Sequence, residues 1–356
     1  MTNFIILDSS DKSTWKSILS KIDNYVGQHI YYSLDYLELY NKSAASKSEA
    51  FVYQKNNQYF YLTYIKNLIS RQLTENNYYD FETPYGYGGP ISTTNDTKFL
   101  FDAWSSFKDY CNKNFIIAGL IRFDPLLKNH SIANQPFIKL AYEGDVVVNS
   151  LNLSKEEIWN NYSSSTRNKV RKAIKNDIKI RNLKSLRAVN LFKHLYFSSM
   201  REKDANENYF FSNGYFNKIF DRLNKNFNLF LAYKKSYVVG GALILCSKKF
   251  ISLHLSATKK KYLKYGVSSL LRHEIINYYL KEKIEKINFG GGLTKDKDDP
   301  LLVFKKGLSK KTEEYYIGKC IFDNKLYNKL CKAWNDKYKK NNEKFSNYFL
   351  KYRYIN

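Results

Sequence analysis

The chain has 356 residues, enough for two domains of ordinary size, each with its own core. A hydrophobic fraction of 44%, with 17% aromatic, excludes a largely disordered protein, because disorder requires a chain poor in apolar residues. Lys and Arg number 58 against 33 Asp and Glu, and the net charge of +25 would attract RNA, phosphate-rich substrates or an anionic membrane face, although a genome rich in Lys, Asn, Ile and Tyr codons gives the same excess without any partner.

Phe4 to Leu7 reads as a short strand, followed by a helix from Ser13 and a tyrosine-rich segment, Tyr31 to Tyr40. The first fifteen residues hold only four consecutive apolar residues, too few for a signal peptide or a spanning helix, so a cytoplasmic location is expected. Phe51 to Asn67 is a hairpin, two aromatic and β-branched runs about a Lys-Asn-Asn turn. Asp80 to Pro90 is rich in Gly and Pro among aromatics and forms a rigid loop; Tyr85 and Tyr87 on it either line a pocket that stacks a sugar or base, or pack as a connection. A helix, Lys98 to Lys113, and a strand, Phe115 to Phe123, complete the first half, and Asn149 to Ser154 marks the domain boundary.

The second half opens with a basic helix, Ser163 to Lys175. Arg167, Arg171 and Lys175 at i, i+4 and i+8 share one face, and Val170, Ala173 and Ile174 form the opposing apolar stripe. From Arg167 to Lys193 there are ten basic residues and a single acid, Asp177, a bias suited to an RNA backbone or a nucleotide diphosphate; a solvated helix face is the plainer alternative. Leu231 to Leu245 repeats the hairpin of the first half, so the order hairpin, loop, helix, strand occurs twice. Ile251, Leu253 and Leu255 alternate with Ser252, His254 and Ser256, the period of a strand with one polar face. Val267, Leu270, Leu271, Ile275, Tyr278 and Tyr279 then trace one stripe of a helix to Lys281. Gly266 opens it with Ser268 in its first turn, so bare N–H groups and the positive dipole end suit a phosphate. Ile284 to Phe289 is a buried strand stopped by Gly290 to Gly292.

Several chemistries are excluded or unneeded. The four cysteines, Cys111, Cys246, Cys320 and Cys331, are scattered without zinc or redox spacing, so no metal is expected. No Gly-Lys-Ser/Thr follows the glycine-rich segments, so they form no P-loop. His254 is the first candidate for a general base, with Glu274 and Asp204 weaker ones.

The strand, glycine turn, helix and strand of residues 250 to 292 resemble the heart of the GNAT acyltransferase fold. In order, Asp80 to Pro90, Trp159…Tyr162…Arg167-Asn168…Arg171-Lys172-Ala173, Met200-Arg201 before Tyr209-Phe-Phe, Leu255-Ser256-Ala257, Asn288 to Gly292 and Phe304-Lys305-Lys306-Gly307 resemble the FemAB group, whose typical members move an amino acid from aminoacyl-tRNA onto a peptidoglycan precursor. The resemblance implies an α/β (α+β) fold of two tandem GNAT-like domains, each a mixed, mostly antiparallel sheet flanked by helices. Residues 1 to 150 would form the acceptor side, 151 to 320 the donor side, and 321 to 356 a C-terminal helical segment returning to the first domain. It implies that Lys305 or Lys306 helps hold the aminoacyl-tRNA end and the developing negative charge. It places Arg201 and Lys42 near the phosphates of the precursor; Tyr209 is counted with the substrate-binding residues, and Ser256, Gly266, Ser268, Arg167, Arg171 and Lys175 with the donor-binding ones. Backbone N–H groups of the parted strand Ile251 to Ala257 would stabilise the oxyanion.

The expected activity is thus acyl or aminoacyl transfer to an amine of a cell-envelope precursor, a muropeptide or sugar nucleotide, either free or lipid-linked. The co-substrate would be aminoacyl-tRNA or acyl-CoA, with no bound cofactor, and peripheral contact with the inner membrane is compatible with such an acceptor. An acyl-CoA-dependent enzyme acting on a nucleotide sugar or a capsule or O-antigen glycan is the alternative donor reading. A non-catalytic RNA- or membrane-surface-binding protein is the alternative of another class.

Overall fold

The computed structural model describes residues 3–26, 29–41, 45–212, 214–339 and 342–355. The chain divides into two compact units, one of Met1–Val26, Tyr31–Glu143 and Tyr315–Asn356, the other of Gly27–Ile30 and Gly144–Glu314. The main division thus falls at Glu143/Gly144, inside a long strand, rather than in the polar segment from Asn149 to Ser154.

In the first unit, β1 (Phe4–Leu7), β2 (Ser46–Lys55), β3 (Gln58–Leu68), β4 (Tyr79–Glu82) and β6 (Ile116–Arg122) lie side by side, with β5 (Pro90–Ser92) on the flank of β3. β2 and β3 are in unbroken antiparallel register from Ser46↔Asn67 to Lys55↔Gln58. Their turn places Asn56 and Asn57 at φ +48° and +63°, the left-handed region that asparagine tolerates and that a two-residue hairpin demands. β4 and β6 are parallel, joined through the helix Thr97–Lys113. That helix starts on Asp96, whose side chain accepts from the Phe99 N–H, and buries Leu100, Trp104 and Phe107 against an aromatic core of Phe51, Phe60, Tyr64 and Phe81. Gly119 on β6 is dictated by that core, since a Cβ there would lie 2.1 Å from the Phe81 ring.

The helix Asn324–Lys337 and the segment after it belong to this unit. Leu330, Trp334, Phe345, Leu350 and Tyr352 cover Ile69, Ile117 and Ala118. Arg353 fixes the end of the chain: its Nε donates to Asp80 at 2.8 Å and its Nη1 to Glu82 at 2.5 Å, while Arg122 shares Glu82 from the other side at 3.1 Å.

β7 (Ile138–Ser150) leads from the first unit into the second, where the order is β7, β12 (Lys286–Gly291), β11 (Phe250–Thr258), β10 (Tyr237–Cys246), β9 (Phe227–Lys234) and β8 (Ile178–Asn182). β13 (Thr312–Ile321) returns to pair with β6. β8 to β11 are antiparallel, and β11 with β12 forms a parallel pair joined through the helix Val267–Tyr279. Among the described residues each unit therefore holds a parallel strand pair with a helix crossover beside antiparallel pairs, and the repeat read from the order of elements is present in three dimensions. Two differences from the sequence reading are local. β12 runs on through Gly290 to Gly291, because its partner β7 continues beside it to Val146. Ile174 is 58% exposed, and the buried stripe of the basic helix consists of Thr166, Val170 and Ala173, since four steps of about 100° turn Ile174 about 40° past Val170, on the side away from Thr166 and Ala173.

Candidate active site

β11 and β12 are in register only from Phe250↔Lys286 to Ser252↔Asn288. Beyond that point β12 stays with β7, reaching Gly291↔Val146, while β11 stays with β10, reaching Thr258↔Gly240. The two strands therefore part, and among the described residues the edge of β11 from Leu253 onward has no strand partner on that side. β11 also carries an extra residue, because Leu243 faces Leu255 but Ile244 faces Leu253. His254 is that extra residue, and such a bulge bends its strand away from regular pairing.

At the end of the opened edge, Gly266 begins the helix Val267–Tyr279 with φ +76°. A Cβ at Gly266 would stand 2.2 Å from the Lys169 carbonyl oxygen of the basic helix, so only glycine fits. No side chain caps this helix start, and Ser268 and Thr258 face each other at 3.0 Å between their hydroxyl oxygens.

One turn into the helix lies a residue that the apolar periodicity does not single out. Arg272 shares the buried face with Ser269, Leu271, Ile275 and Ile276 and is only 4% exposed. Its Nη1 donates to the Ser268 carbonyl at 3.0 Å and its Nη2 to the Ser256 hydroxyl at 3.3 Å, while Nε is buried without a partner. The guanidinium lies 5.0 Å from the Phe304 ring centroid, and burial lowers its pKa from 12.5 to about 10. The signal available in the sequence is a lone cation at a position that the i+3/i+4 pattern assigns to the core.

Lys305 completes the group. The helix Pro300–Lys306 points its last turn at β12, where Lys305 Nζ donates to the Gly291 carbonyl at 2.6 Å and is 8% exposed. Burial, followed by repulsion from Arg272, lowers the Lys305 ammonium from 10.5 to about 7. Asp299 attracts it but is already saturated, accepting the N–H groups of Leu293, Thr294, Leu301 and Leu302 and the Thr294 hydroxyl. The Phe304 ring centroid lies 5.0 Å from the Arg272 guanidinium and 5.9 Å from the Lys169 ammonium. Gly307 ends this helix against the start of the basic helix, its carbonyl accepting from Ser163 N–H at 2.9 Å.

Ser256, Gly266, Ser268 and Lys305 are thus assembled around the parting of β11 and β12. His254 is buried, its Nε2 2.6 Å from the Tyr215 hydroxyl, and burial lowers its pKa to about 3, which leaves it a weak base. Lys306 is half-buried, Arg201 is exposed at the end of the helix Leu186–Arg201, Tyr209 is half-buried, Asp204 is exposed and Glu274 is half-buried. Arg167 donates to the Tyr162 and Asn160 carbonyls and locks the turn before its own helix, whereas Arg171 lies exposed over Trp159 at 5.4 Å and Lys175 is exposed. In the first unit Tyr87 packs edge-on against Tyr31 and Tyr315, and the Tyr85 carbonyl accepts from Tyr36. Lys42 lies outside the described residues. No group of three or more potential metal-ligating residues occurs among the described residues, and no helix there is long and apolar enough to cross a membrane.

Residues 161–298 match the family model of the acetyltransferase (GNAT) domain. No curated protein sequence matches the chain. Among solved structures the chain is similar to FemX, with a TM-score of 0.68 at 12% identity over 88% of this chain and 97% of FemX. It is also similar to a tandem GNAT protein from the clavulanic acid biosynthesis pathway, with a TM-score of 0.52 at 7% identity over 90% of this chain and 99% of that one. The C-terminal domain of a putative lysylphosphatidylglycerol synthetase from Agrobacterium fabrum gives a TM-score of 0.54 at 10% identity over 85% of this chain and 92% of that one. Residues 161–298 are accordingly similar to the acetyltransferase (GNAT) domain, in a chain whose fold is similar to those of FemX and a tandem GNAT protein.

Proposed function

We propose that this GNAT-type acyltransferase moves an aminoacyl group from aminoacyl-tRNA to an amine of a cell-envelope precursor. The observation that carries the reading is the buried pair Lys305 and Arg272 at the point where β11 and β12 part, two basic side chains whose chemistry suits an anionic donor. The names of two similar folds, FemX and lysylphosphatidylglycerol synthetase, support an envelope acceptor.

In this mechanism the neutral acceptor amine attacks the ester carbonyl, a C–N bond forms, and the C–O bond to the ribose breaks. The proton released by nitrogen goes to the departing ribose oxygen. The protein positions the two substrates and stabilises the oxyanion with N–H donors along the free edge of β11 and with the charge of Lys305. Neither a covalent intermediate nor a strongly basic His254 is required. The uncapped helix start at Gly266 is a second place for phosphate and favours acyl-CoA as the competing donor. Incubating the protein with charged tRNA or with acetyl-CoA, each with an envelope-precursor extract, separates the two. Label transferred from tRNA alone is the expected result, and transfer from acetyl-CoA alone would overturn it. Docking at the inner membrane face and the muropeptide or sugar-nucleotide identity of the acceptor belong to this same proposal, and fractionating the labelled products would test them.

A further inference from the structure

A buried guanidinium can be kept in a fold as a structural tie when its donors are used or a carboxylate faces it. Arg272 meets the first only in part, with Nη1 on the Ser268 carbonyl and Nη2 on the Ser256 hydroxyl, and the second not at all. Among the described residues its Nε has no partner and no ion pair is formed with it, and its charged neighbours are cations, the buried Lys305 and the exposed Lys203. The nearby carboxylate, Asp299, is consumed by five donors from its own loop and helix. The planar group is also held in a fixed pose, with Phe304 beneath it and Ser256 and the Ser268 carbonyl at its ends. A pre-oriented, desolvated fork with a free N–H is the geometry that recognises a phosphate.

The position of that fork distinguishes the donors. Lys305 and Arg272 sit beside the opened edge of β11, where the reacting carbonyl is to be held. In an aminoacyl ester at the 3′ end of RNA, a phosphate belongs to the same nucleotide, one ribose away from the ester. In acyl-CoA the thioester is separated from every phosphate by the long uncharged pantetheine arm, which offers no anion there. We infer that Arg272, supported by Lys305, anchors the 5′-phosphate of the donor's terminal nucleotide and thereby selects a nucleotide-borne ester over a coenzyme A thioester. The inference rests on the aminoacyl-tRNA reading above and adds to it the residue that makes the choice.

The test uses the full chain and two probes, 3′-amino-3′-deoxyadenosine carrying an alanyl amide, with and without a 5′-phosphate, titrated by calorimetry at fixed salt. The phosphorylated probe should bind the wild-type protein about ten- to a hundred-fold more tightly, the range expected for charge-assisted hydrogen bonds in a desolvated site. In Arg272→Gln this advantage should fall below about three-fold, and Arg272→Lys should keep part of it. Lys325→Gln, an exposed change on the helix Asn324–Lys337 of the first unit, should keep it in full, which separates a built site from general attraction to a basic protein. Equal affinity of the wild type for both probes overturns the inference and needs no variant to fold. A full phosphate advantage in Arg272→Gln, with a native circular dichroism spectrum, overturns it too; if transfer from charged tRNA still proceeds, the donor reading stands without this anchor. Binding of neither probe, together with transfer from acetyl-CoA alone, removes both.

Discussion

Replacing Lys305 with methionine should stabilise the protein while stopping transfer. Burial and the neighbouring Arg272 lower the Lys305 ammonium from 10.5 to about 7, which corresponds to ~4–5 kcal/mol for keeping it charged in the folded state. Methionine is of similar length and carries no charge, but it gives up the bond to the Gly291 carbonyl, a loss of ~1–2 kcal/mol. With incomplete repacking included, the net gain is ~1–3 kcal/mol, or about 3–10 °C in the melting temperature. The pH dependence identifies the cause. Below pH 7 the wild type holds the proton in both states and bears the whole cost. Between pH 7 and 10.5 the folded state has released a proton that the unfolded state still binds, so wild-type stability rises with pH. Calorimetric scans should therefore show a large advantage for Lys305→Met at pH 6 and a much smaller one at pH 9. A variant less stable than wild type by the same amount at both pH values would refute the reasoning and make Lys305 an ordinary structural hydrogen bonder.

For transfer itself, kcat/KM should fall as pH rises through about 7, because free Lys305 loses the charge that holds the donor and the oxyanion; a rise through the same range would make the lysine a base instead. No histidine limb near pH 6.5 should arise from His254, which remains neutral down to about pH 3, and a profile unchanged in shape for His254→Gln would confirm this. Gly266→Ala should cost at least ~1–3 kcal/mol in urea unfolding, because the left-handed backbone and the Lys169 carbonyl both oppose a Cβ. Arg353→Ala should cost ~3–5 kcal/mol, since Asp80 would be left buried without its partner, and Asp80→Asn in that background should recover part of the loss. Arg171→Gln with Lys175→Gln should leave the melting temperature within about 2 °C of wild type while lowering the salt dependence of tRNA binding, measured by filter retention.

The elements are legible where one residue's surroundings lie close to it in the chain. The alternation of Ile251, Leu253 and Leu255, the stripe from Val267 to Tyr279, and the turn at Asn56-Asn57 each depend on a period or a turn that local residues impose. The doubled order of hairpin, helix and strand is legible for the same reason, and with the ordered motifs it points to tandem GNAT-like units. What the sequence does not decide is which side of an amphipathic pattern meets a partner. His254 alternates as an outward polar residue, but a bulge opposite Leu243 and Ile244 turns it into a buried site beside Tyr215. Ile174 is apolar yet exposed, and Arg272 is charged yet buried, because the packing of distant segments fixes the width of each buried face. The parting of β11 from β12 depends on β7 holding one strand and β10 the other, and β7 lies far from β12 along the chain. Periodicity thus determined the inventory of helices and strands. Long-range strand pairing and burial alone decided that Lys305, Ser256 and an unforeseen arginine meet at one opening.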